Sequence, residues 1–267
     1  MIRQPAVANR FYPGSPRELQ RVVAELMTGL GSDKKKAIGA ISPHAGYVYS
    51  GRLAGQTLGA IEIPPTVVIL GPNHHGRGAA VAVSMADWQM PLGLVPCDTD
   101  LARTLVNSSP LLEADDEAHR YEHSLEVQVP FLQASNPDLS LVAIAVSHLR
   151  YQECVQVARS LAEAITAEAR QVLLVASTDM SHYESRRSAS LKDHRALDRI
   201  LAYDPEGLYR TVTGERISMC GFIPVTITLL AARHLGATGV ELVGYTDSGE
   251  ASGDTDQVVG YAGLIIS

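Results

Sequence analysis

The chain has 267 residues, of which 46% are hydrophobic and 19% are charged, and its formal net charge is −7. These proportions are typical of a globular protein with a substantial core, and they exclude a disordered chain. The 22 basic residues are spread along the sequence, which argues against nucleic acid or an anionic membrane as a partner.

An amphipathic helix is the first element that the sequence predicts. Ser15-Pro16-Arg17-Glu18 combines a capping residue, a proline at the first helical position and a glutamate three residues after the cap. Apolar residues then recur at helical spacing, and glycines predict the end of the helix. The apolar residues are Leu19, Val22, Val23, Leu26, Met27 and Leu30, and the glycines are Gly29 and Gly31.

Short apolar runs and helical patterns alternate along the rest of the chain. The runs predict buried strands at residues 37–42, 66–70, 139–146, 172–176, 240–245 and 258–266. Helices are predicted at residues 124–134, 153–168, 188–201 and 224–235, and the polar stretch 247–256 is predicted to be a mobile loop. This alternation predicts an α/β fold: a single domain over residues 1–267, built as an α/β/α sandwich around a mixed, largely parallel sheet.

Cysteine usage and the N-terminus indicate the compartment. Cys97, Cys154 and Cys220 form no CxxC pair and no disulfide framework, which is typical of a reducing environment. The N-terminus lacks the apolar stretch of a signal peptide, and no apolar run approaches the length that spans a bilayer. We therefore expect a cytoplasmic protein without membrane contact.

Histidines gather directly after the predicted strands. Ligands of parallel α/β sheets bind beyond the carboxyl ends of the strands, and histidine serves there as a metal ligand, acid or base. The sequence therefore predicts one shared polar site that holds a metal ion. Five of the nine histidines occupy such positions: His44, His74, His75, His148 and His182.

Individual roles follow from the neighbouring residues. His44 and His74 lie in turns framed by glycine and proline, and we interpret both as metal ligands. His75 points the opposite way from its neighbour on an extended segment, so it is assigned to substrate or to a supporting contact. His182 is interpreted as a general base. Asp179, three residues earlier, can orient that ring or hydrogen-bond a neighbouring ligand.

Four further residues keep two interpretations each. His148 lacks polar neighbours in the sequence, which favours a hydrogen-bonded core histidine over a ligand. Cys220 precedes a predicted helix, whose dipole would lower the pKa of the thiol and favour a metal-binding thiolate, although a buried structural cysteine fits equally well. His123 and Glu126 lie on one helix face. They are either part of a capped helix start or acid, base or supporting groups of the site.

Several segments carry a resemblance to a known family. They are residues 5–13 (PAVANRFYP), 43–47 (PHAGY), 71–75 (GPNHH), 122–126 (EHSLE), 177–182 (STDMSH), 220–221 (CG) and 258–262 (VVGYA). In this order they resemble the Memo family, whose bacterial and archaeal members are called AmmeMemoRadiSam system protein B. Asn9 is a small departure, since glycine is common there. Tyr47, His75 and Glu126 lie in these segments, and we expect them to contact substrate.

The resemblance implies a fold similar to that of the class III extradiol dioxygenases of the LigB type, which bind non-haem Fe(II) with two histidines and a carboxylate. By motif, His44 and His74 match the two histidine ligands. Cys220 matches the third ligand, where those enzymes have glutamate, and His182 matches their general base. Because a thiolate is a softer ligand than a carboxylate, the site can suit Fe(II), Cu or Zn. The resemblance makes Fe(II) the expected ion.

Three functions remain open. The first is an Fe(II)-dependent oxygenase of the extradiol type, which uses a catechol-like small molecule and O2, with His182 as base and His75, His123 or Asp179 orienting the bound species. The second is a non-catalytic metal-binding or peptide- or partner-binding protein on a retired dioxygenase fold. The third is a zinc hydrolase with His182 or Glu126 as base. The resemblance also implies a functional association with radical-SAM and AMMECR1-like proteins.

Overall fold

Strands and helices alternate through most of the chain in the computed structural model, which describes residues 1–29 and 34–267. No helix within these two ranges is both long and apolar enough to cross a membrane. The strands are β1 (Ile2–Arg3), β2 (Gly39–Ser42), β3 (Thr66–Pro72), β4 (Val81–Val83), β5 (Asp87–Met90), β6 (Gly93–Val95), β7 (Glu113–Ala114), β8 (Ser140–Val146), β9 (Val172–Ser177), β10 (His182–Glu184), β11 (Val240–Asp247) and β12 (Val258–Ile266). The α-helices are α1 (Pro16–Leu26), α2 (Tyr47–Gly59), α3 (Thr99–Ser108), α4 (Val129–Ser135), α5 (Tyr151–Ala167), α6 (Arg186–Leu201), α7 (Pro205–Glu215), α8 (Phe222–His234) and α9 (Gly249–Ser252), and 3-10 helices occupy Glu117–His119 and Glu126–Gln128.

A central mixed sheet organises the fold. Its strand order is β10-β12-β2-β9-β3-β8-β4-β7, and β11 pairs with β12. Strands β2, β9, β3 and β8 run parallel to one another in the middle, and antiparallel pairs flank them on both sides. A second, three-stranded sheet has the order β1-β5-β6. The prediction of a mixed α/β fold with a largely parallel centre is confirmed.

Helices cover both faces of the central sheet. Along β3, Val67 and Ile69 pack into one core with residues of α1, α2 and α4, whereas Val68 and Leu70 pack into a second core with residues of α5 and α8. Successive side chains of a strand point to opposite faces. A strand that is buried on both faces therefore has a continuous apolar sequence, which explains why these strands could be predicted from short apolar runs.

Helix α1 begins where the sequence predicts and ends earlier. Pro16 is its first residue, and Ser15 occupies the capping position without a side-chain hydrogen bond to the helix. The last helical residue is Leu26, and Gly29 adopts a positive φ of 81°, which terminates a helix without steric penalty. The predicted residues Leu30 and Gly31 lie outside the described residues.

Helix α2 was not predicted from the sequence. Its interior contains Gly51 and Gly55, and glycine normally disfavours a helix interior. Both glycines allow close packing: a Cβ at Gly55 would lie 2.8 Å from the carbonyl oxygen of Leu26, and one at Gly51 would lie 2.9 Å from the Leu26 side chain. The composition of α2 therefore follows from its packing against the end of α1, which a local pattern does not show.

Other element boundaries differ by a few residues. The strand predicted from residue 37 starts at Gly39, and the helix predicted at residues 124–134 is a 3-10 turn followed by α4. Strands β4 to β7 and helices α3 and α7 were missed, since their short apolar runs did not stand out from the neighbouring loops.

The polar segment 247–256 connects β11 to β12, as predicted, yet it is not an unstructured loop. It contains the short helix Gly249–Ser252. The guanidinium of Arg186 holds it through ion pairs with Asp247, at 2.7 Å, and with Glu250, at 3.0 Å. These contacts tie the segment to α6, and the short helix is a feature that the composition of the segment did not predict.

Candidate metal centre

Three adjacent parallel strands end at the same edge of the central sheet. Strand β9 lies between β2 and β3, with Ser177 of β9 opposite Ser42 of β2. His44 follows β2, His74 follows β3 and Asp179 follows β9. The chain therefore gathers these side chains at one place, as the strand-end pattern predicts.

His44 is almost fully buried, and its hydrogen bonds define its tautomer. Its Nδ1 lies 3.0 Å from the hydroxyl oxygen of Ser177, and that hydroxyl donates to the carbonyl oxygen of Ser124 at 2.6 Å. Because the one hydroxyl hydrogen is used there, Ser177 accepts a hydrogen bond from His44 Nδ1. The ring proton therefore sits on Nδ1, and Nε2 keeps a free lone pair.

A buried carboxylate, Glu122, orients two further imidazoles. Its Oε1 lies 2.9 Å from Nδ1 of His74 and 3.4 Å from Nδ1 of His123, and it also accepts the backbone N–H of Ser124 at 2.9 Å. Its Oε2 accepts the backbone N–H of His74 at 2.7 Å. Burial alone would raise the pKa of Glu122, but the hydrogen bond and the charge of His74 hold the pKa below its ordinary value. A carboxylate that binds Nδ1 in this way leaves Nε2 as the coordinating atom.

The three imidazoles face one another closely enough to share an ion. One ring nitrogen each of His44, His74 and His123 lies within 4.8 Å of those of the other two. The His74 and His123 rings are stacked with centroids 4.6 Å apart, and the His44 ring stands edge-on to both. His123 was predicted to act in catalysis or support, and the structure adds it to the candidate ligands.

Protonation favours this donor role. Burial lowers the pKa of His44 well below its ordinary value and lowers the pKa of His123 to about 4. Both rings are therefore neutral at pH 7, which a metal ligand must be. Imidazole nitrogens whose Nδ1 atoms are held in this way suit Zn, Cu or Fe.

Cys220 lies beside this group without belonging to it. Its Sγ is 3.3 Å from Nε2 of His44 and accepts the backbone N–H of Asp179, also at 3.3 Å. The sequence-based expectation that the dipole of the following helix lowers the pKa of the thiol is wrong. Burial disfavours the charged thiolate, and the nearby Asp179 carboxylate repels it. Both effects raise the pKa of the thiol above its ordinary value.

Asp179 and His182 are both at the site, but Asp179 does not orient His182. The Asp179 carboxylate accepts the backbone N–H of His44 at 2.7 Å, and its other oxygen is 3.9 Å from Nε2 of His44. Burial raises the pKa of Asp179 to about 7. The Nδ1 of His182 instead lies 2.9 Å from the carbonyl oxygen of Ser218. A carbonyl only accepts hydrogen bonds, so His182 also carries its proton on Nδ1 and has a free Nε2.

Two residues that were expected to contact substrate face elsewhere. His75 is exposed, with Nε2 3.0 Å from the carbonyl oxygen of Tyr121, and it does not line the crevice above the histidines. Tyr47 is buried in the core, where its hydroxyl donates to the carbonyl oxygen of Val127 at 2.8 Å. His148 is exposed, so its interpretation as a core histidine is also wrong.

Glu126, the third residue expected at the substrate, is fully buried and anchors the N-terminal segment. Its carboxylate pairs with the Arg3 guanidinium at 2.7 Å and accepts the hydroxyl of Tyr12 at 2.6 Å. The backbone N–H groups of Ala6 and Val7 donate to the same carboxylate, at 2.8 and 3.0 Å. These partners use its acceptor positions, so Glu126 is available neither to substrate nor as a base.

A crevice of about 660 Å³ opens above the histidines. Most of its walls were not predicted, because they come from elements and loops that are distant along the chain. Phe11, Ala45, Gly46, Val259 and Tyr261 lie in the recognised segments 5–13, 43–47 and 258–262, but those segments suggested no role for them. The wall residues to which the sequence assigned no role are Phe11, Ala45, Gly46, Tyr49, Tyr183, Ser248, Ser252, Asp254, Gln257, Val259 and Tyr261.

Sequence relatives cover the whole chain. A family model described as Memo-like protein matches residues 3–265. A MEMO1 family protein of Methanosarcina barkeri is 38% identical over 266 residues, which is 99% of this chain and 100% of that relative. A MEMO1 family protein of Aquifex aeolicus is 39% identical over 266 residues, which is 99% of this chain and 98% of that relative.

A solved structure shares the fold. The crystal structure of the uncharacterized protein JW3007 from Escherichia coli K12 superposes with a TM-score of 0.56 and covers 86% of this chain and 100% of its own. Its sequence is only 14% identical, so this likeness concerns the fold alone. The match of the family model over nearly the full length, together with the two relatives, is decisive: this chain belongs to the Memo-like protein family.

Proposed function

We propose that this protein binds a transition-metal ion through the Nε2 atoms of His44, His74 and His123. One observation carries the proposal: ring nitrogens of all three lie within 4.8 Å of one another, while Ser177 and Glu122 occupy the Nδ1 atoms. Imidazoles with this orientation are the common ligands of Fe, Cu and Zn in proteins. Fe(II) is the ion that the family resemblance favours.

Cys220 is proposed as a further ligand of the same ion. Two donor atoms that are bound to one ion at ordinary bond lengths lie about 3–4 Å apart. The 3.3 Å between Cys220 Sγ and His44 Nε2 falls in this range. The thiol would have to lose its proton as the ion binds, so its participation should release a proton.

We further propose that the site serves an oxygenase of the extradiol type, with a catechol-like substrate and O2. A redox-active ion held here would supply the activation of O2 and the chelation of the substrate oxygens. His182 has the features of the general base, because Ser218 holds its Nδ1 and its ring lines the crevice. Burial lowers the pKa of His182, which keeps Nε2 free to accept a substrate proton at neutral pH.

A zinc hydrolase is the second candidate, and the donor set favours it. The candidate group contains three histidines and no carboxylate, and three histidines with one open position form a catalytic zinc site in some enzymes. Such an enzyme would contain zinc as purified, and its activity would not depend on O2.

The first test is the metal content of protein purified without oxygen. Wild type is compared with His44→Ala, His123→Ala and Cys220→Ala. His75→Ala is the matched control, because this histidine adjoins a proposed ligand yet lies outside the crevice. We expect near-stoichiometric metal in wild type and in the control, and loss of metal in the His44 and His123 variants. The Cys220 variant reports whether the thiol is a ligand.

The identity of the metal then selects the reaction. Iron, together with O2 uptake on addition of a catechol, would support the oxygenase. Zinc would support the hydrolase, and copper without turnover would support a non-catalytic metal-binding protein. Wild-type protein that contains no metal and refuses added Fe(II), Cu and Zn would refute the proposal.

A further inference from the structure

Tyr183 has a backbone conformation that its side chain disfavours. Its φ is +56°, in the left-handed region that glycine adopts readily and bulky residues rarely occupy. It is the extra residue of a β-bulge in β10: His182 pairs with Val259 and Glu184 pairs with Val258, so two steps on β10 face one step on β12. Bulges of this kind occur next to active sites, where they redirect a side chain.

The bulge places a large aromatic side chain in solvent at the mouth of the crevice. Tyr183 is 75% exposed, although a tyrosine gains stability from burial. It lines the crevice above the candidate ligands, and its ring centroid lies 5.9 Å from that of His182. Neither the strained backbone nor the exposed ring stabilises the folded chain, so stability does not account for this residue. Strain of this type is found at ligand-binding and active sites.

The other crevice walls complete an aromatic surface. Phe11, Tyr49 and Tyr261 also line the crevice, which places four aromatic rings around the histidine floor together with Tyr183. Among the lining residues in the described part of the chain, none is lysine or arginine. A ligand therefore finds aromatic faces and the proposed metal in this crevice, whose lining residues within the described ranges include no lysine or arginine to pair with a phosphate or carboxylate.

We propose that Tyr183 is a specificity-determining residue, which packs against the ring of an aromatic ligand while that ligand's oxygen atoms bind the metal. This inference rests on the proposed metal site and adds to it the residue that selects ring-bearing ligands. The ring of Tyr183, exposed in the free protein, becomes covered when such a ligand binds. The residue acts by contact and takes no part in proton transfer.

The test uses two metal chelators that differ only in the group that carries the hydroxamate. Acetohydroxamate and benzohydroxamate present the same two oxygen atoms to a metal, and only the second has a ring. Their affinities for metal-loaded protein are compared in wild type, Tyr183→Phe and Tyr183→Gly. Phenylalanine keeps the ring, whereas glycine removes it and suits the positive φ.

We expect wild type and Tyr183→Phe to bind benzohydroxamate more tightly than acetohydroxamate. In Tyr183→Gly this preference should fall by about three- to tenfold, the range of one aromatic contact, with the affinity for acetohydroxamate unchanged. Metal content should stay at the wild-type level, and the urea midpoint should not fall, because glycine relieves the strained backbone.

Two failures are distinguishable. If Tyr183→Gly holds metal and keeps the wild-type preference for benzohydroxamate, the assignment of Tyr183 is overturned and the metal site stands. If wild type holds no metal and binds neither hydroxamate, the metal site itself is refuted, and the inference fails with it.

Discussion

Replacing Glu122 by glutamine tests how the metal ligands are held. The carboxylate accepts three N–H groups, namely the backbone and ring N–H of His74 and the backbone N–H of Ser124, at 2.7 to 2.9 Å. The ring of His123 adds a fourth neighbour at 3.4 Å. The three N–H groups all donate, so the NH2 of a glutamine must face at least one other donor.

The magnitude follows from the best placement of the new amide. Its oxygen would take the position of Oε1, which serves two N–H groups, and its NH2 would face the backbone N–H of His74. One buried donor then lacks an acceptor, which lowers the free energy of unfolding by about 1–3 kcal/mol. The lost negative charge also makes the His74 and His123 imidazoles weaker ligands for a metal ion. Losing such a partner weakens metal affinity by about 10- to 100-fold.

The assay measures both quantities on the same protein. Urea unfolding gives the stability, and competition with a chromophoric chelator gives the metal affinity of wild type and Glu122→Gln. Glu117→Gln is the control, since that carboxylate is half exposed and pairs with Arg77 on the surface. If Glu122→Gln bound metal as tightly as wild type did, Glu122 would not orient the ligands and the proposed donor set would be wrong.

Further predictions concern stability. His119 is buried, and burial lowers its pKa to about 4. Its contribution to the free energy of unfolding is therefore complete above pH 6.5 and is lost as the pH falls through 4. In urea unfolding, the stability of wild type relative to His119→Gln should fall by about 3 kcal/mol between pH 7 and pH 4. Arg3→Met should lower the free energy of unfolding by about 3–5 kcal/mol, because it leaves the buried Glu126 carboxylate without its cation, and an unchanged urea midpoint would contradict this. In thermal unfolding, Gly55→Ala should destabilise, since the new Cβ would lie 2.8 Å from a backbone oxygen. Gly214→Ala, whose Cβ would meet nothing within 4 Å, should stabilise by about 0.5–1 kcal/mol.

The central strands could be predicted from the sequence because they are buried on both faces. Residues 67–70 are all apolar, and each packs into one of two cores, so a local run carries the information. Helix α2 could not be predicted in this way. Its glycines match the surface of α1, and that contact joins parts of the chain that no local window includes.

The residues of the candidate site also differ in how far the local sequence identifies them. His44, His74 and His182 were found because ligands bind beyond the carboxyl ends of parallel strands, where these residues lie. Glu122 was recognised only as part of a segment, because its role depends on a loop that returns to the end of β3. The error on Cys220 has a similar origin: the sequence shows the helix that follows it, but it does not show the burial that decides the pKa of the thiol.

The recognised segment 122–126 connects two functions of the structure. Glu122 holds two candidate metal ligands, and Glu126 holds the N-terminal segment through Arg3 and backbone N–H groups. That segment carries Phe11, whose ring centroid lies 4.8 Å from that of His123. The anchored segment thus supports a candidate ligand that Glu122 also contacts. Because both contacts fix His123 before an ion arrives, metal binding needs little rearrangement, and a change that loosens the N-terminal segment should also weaken the metal site.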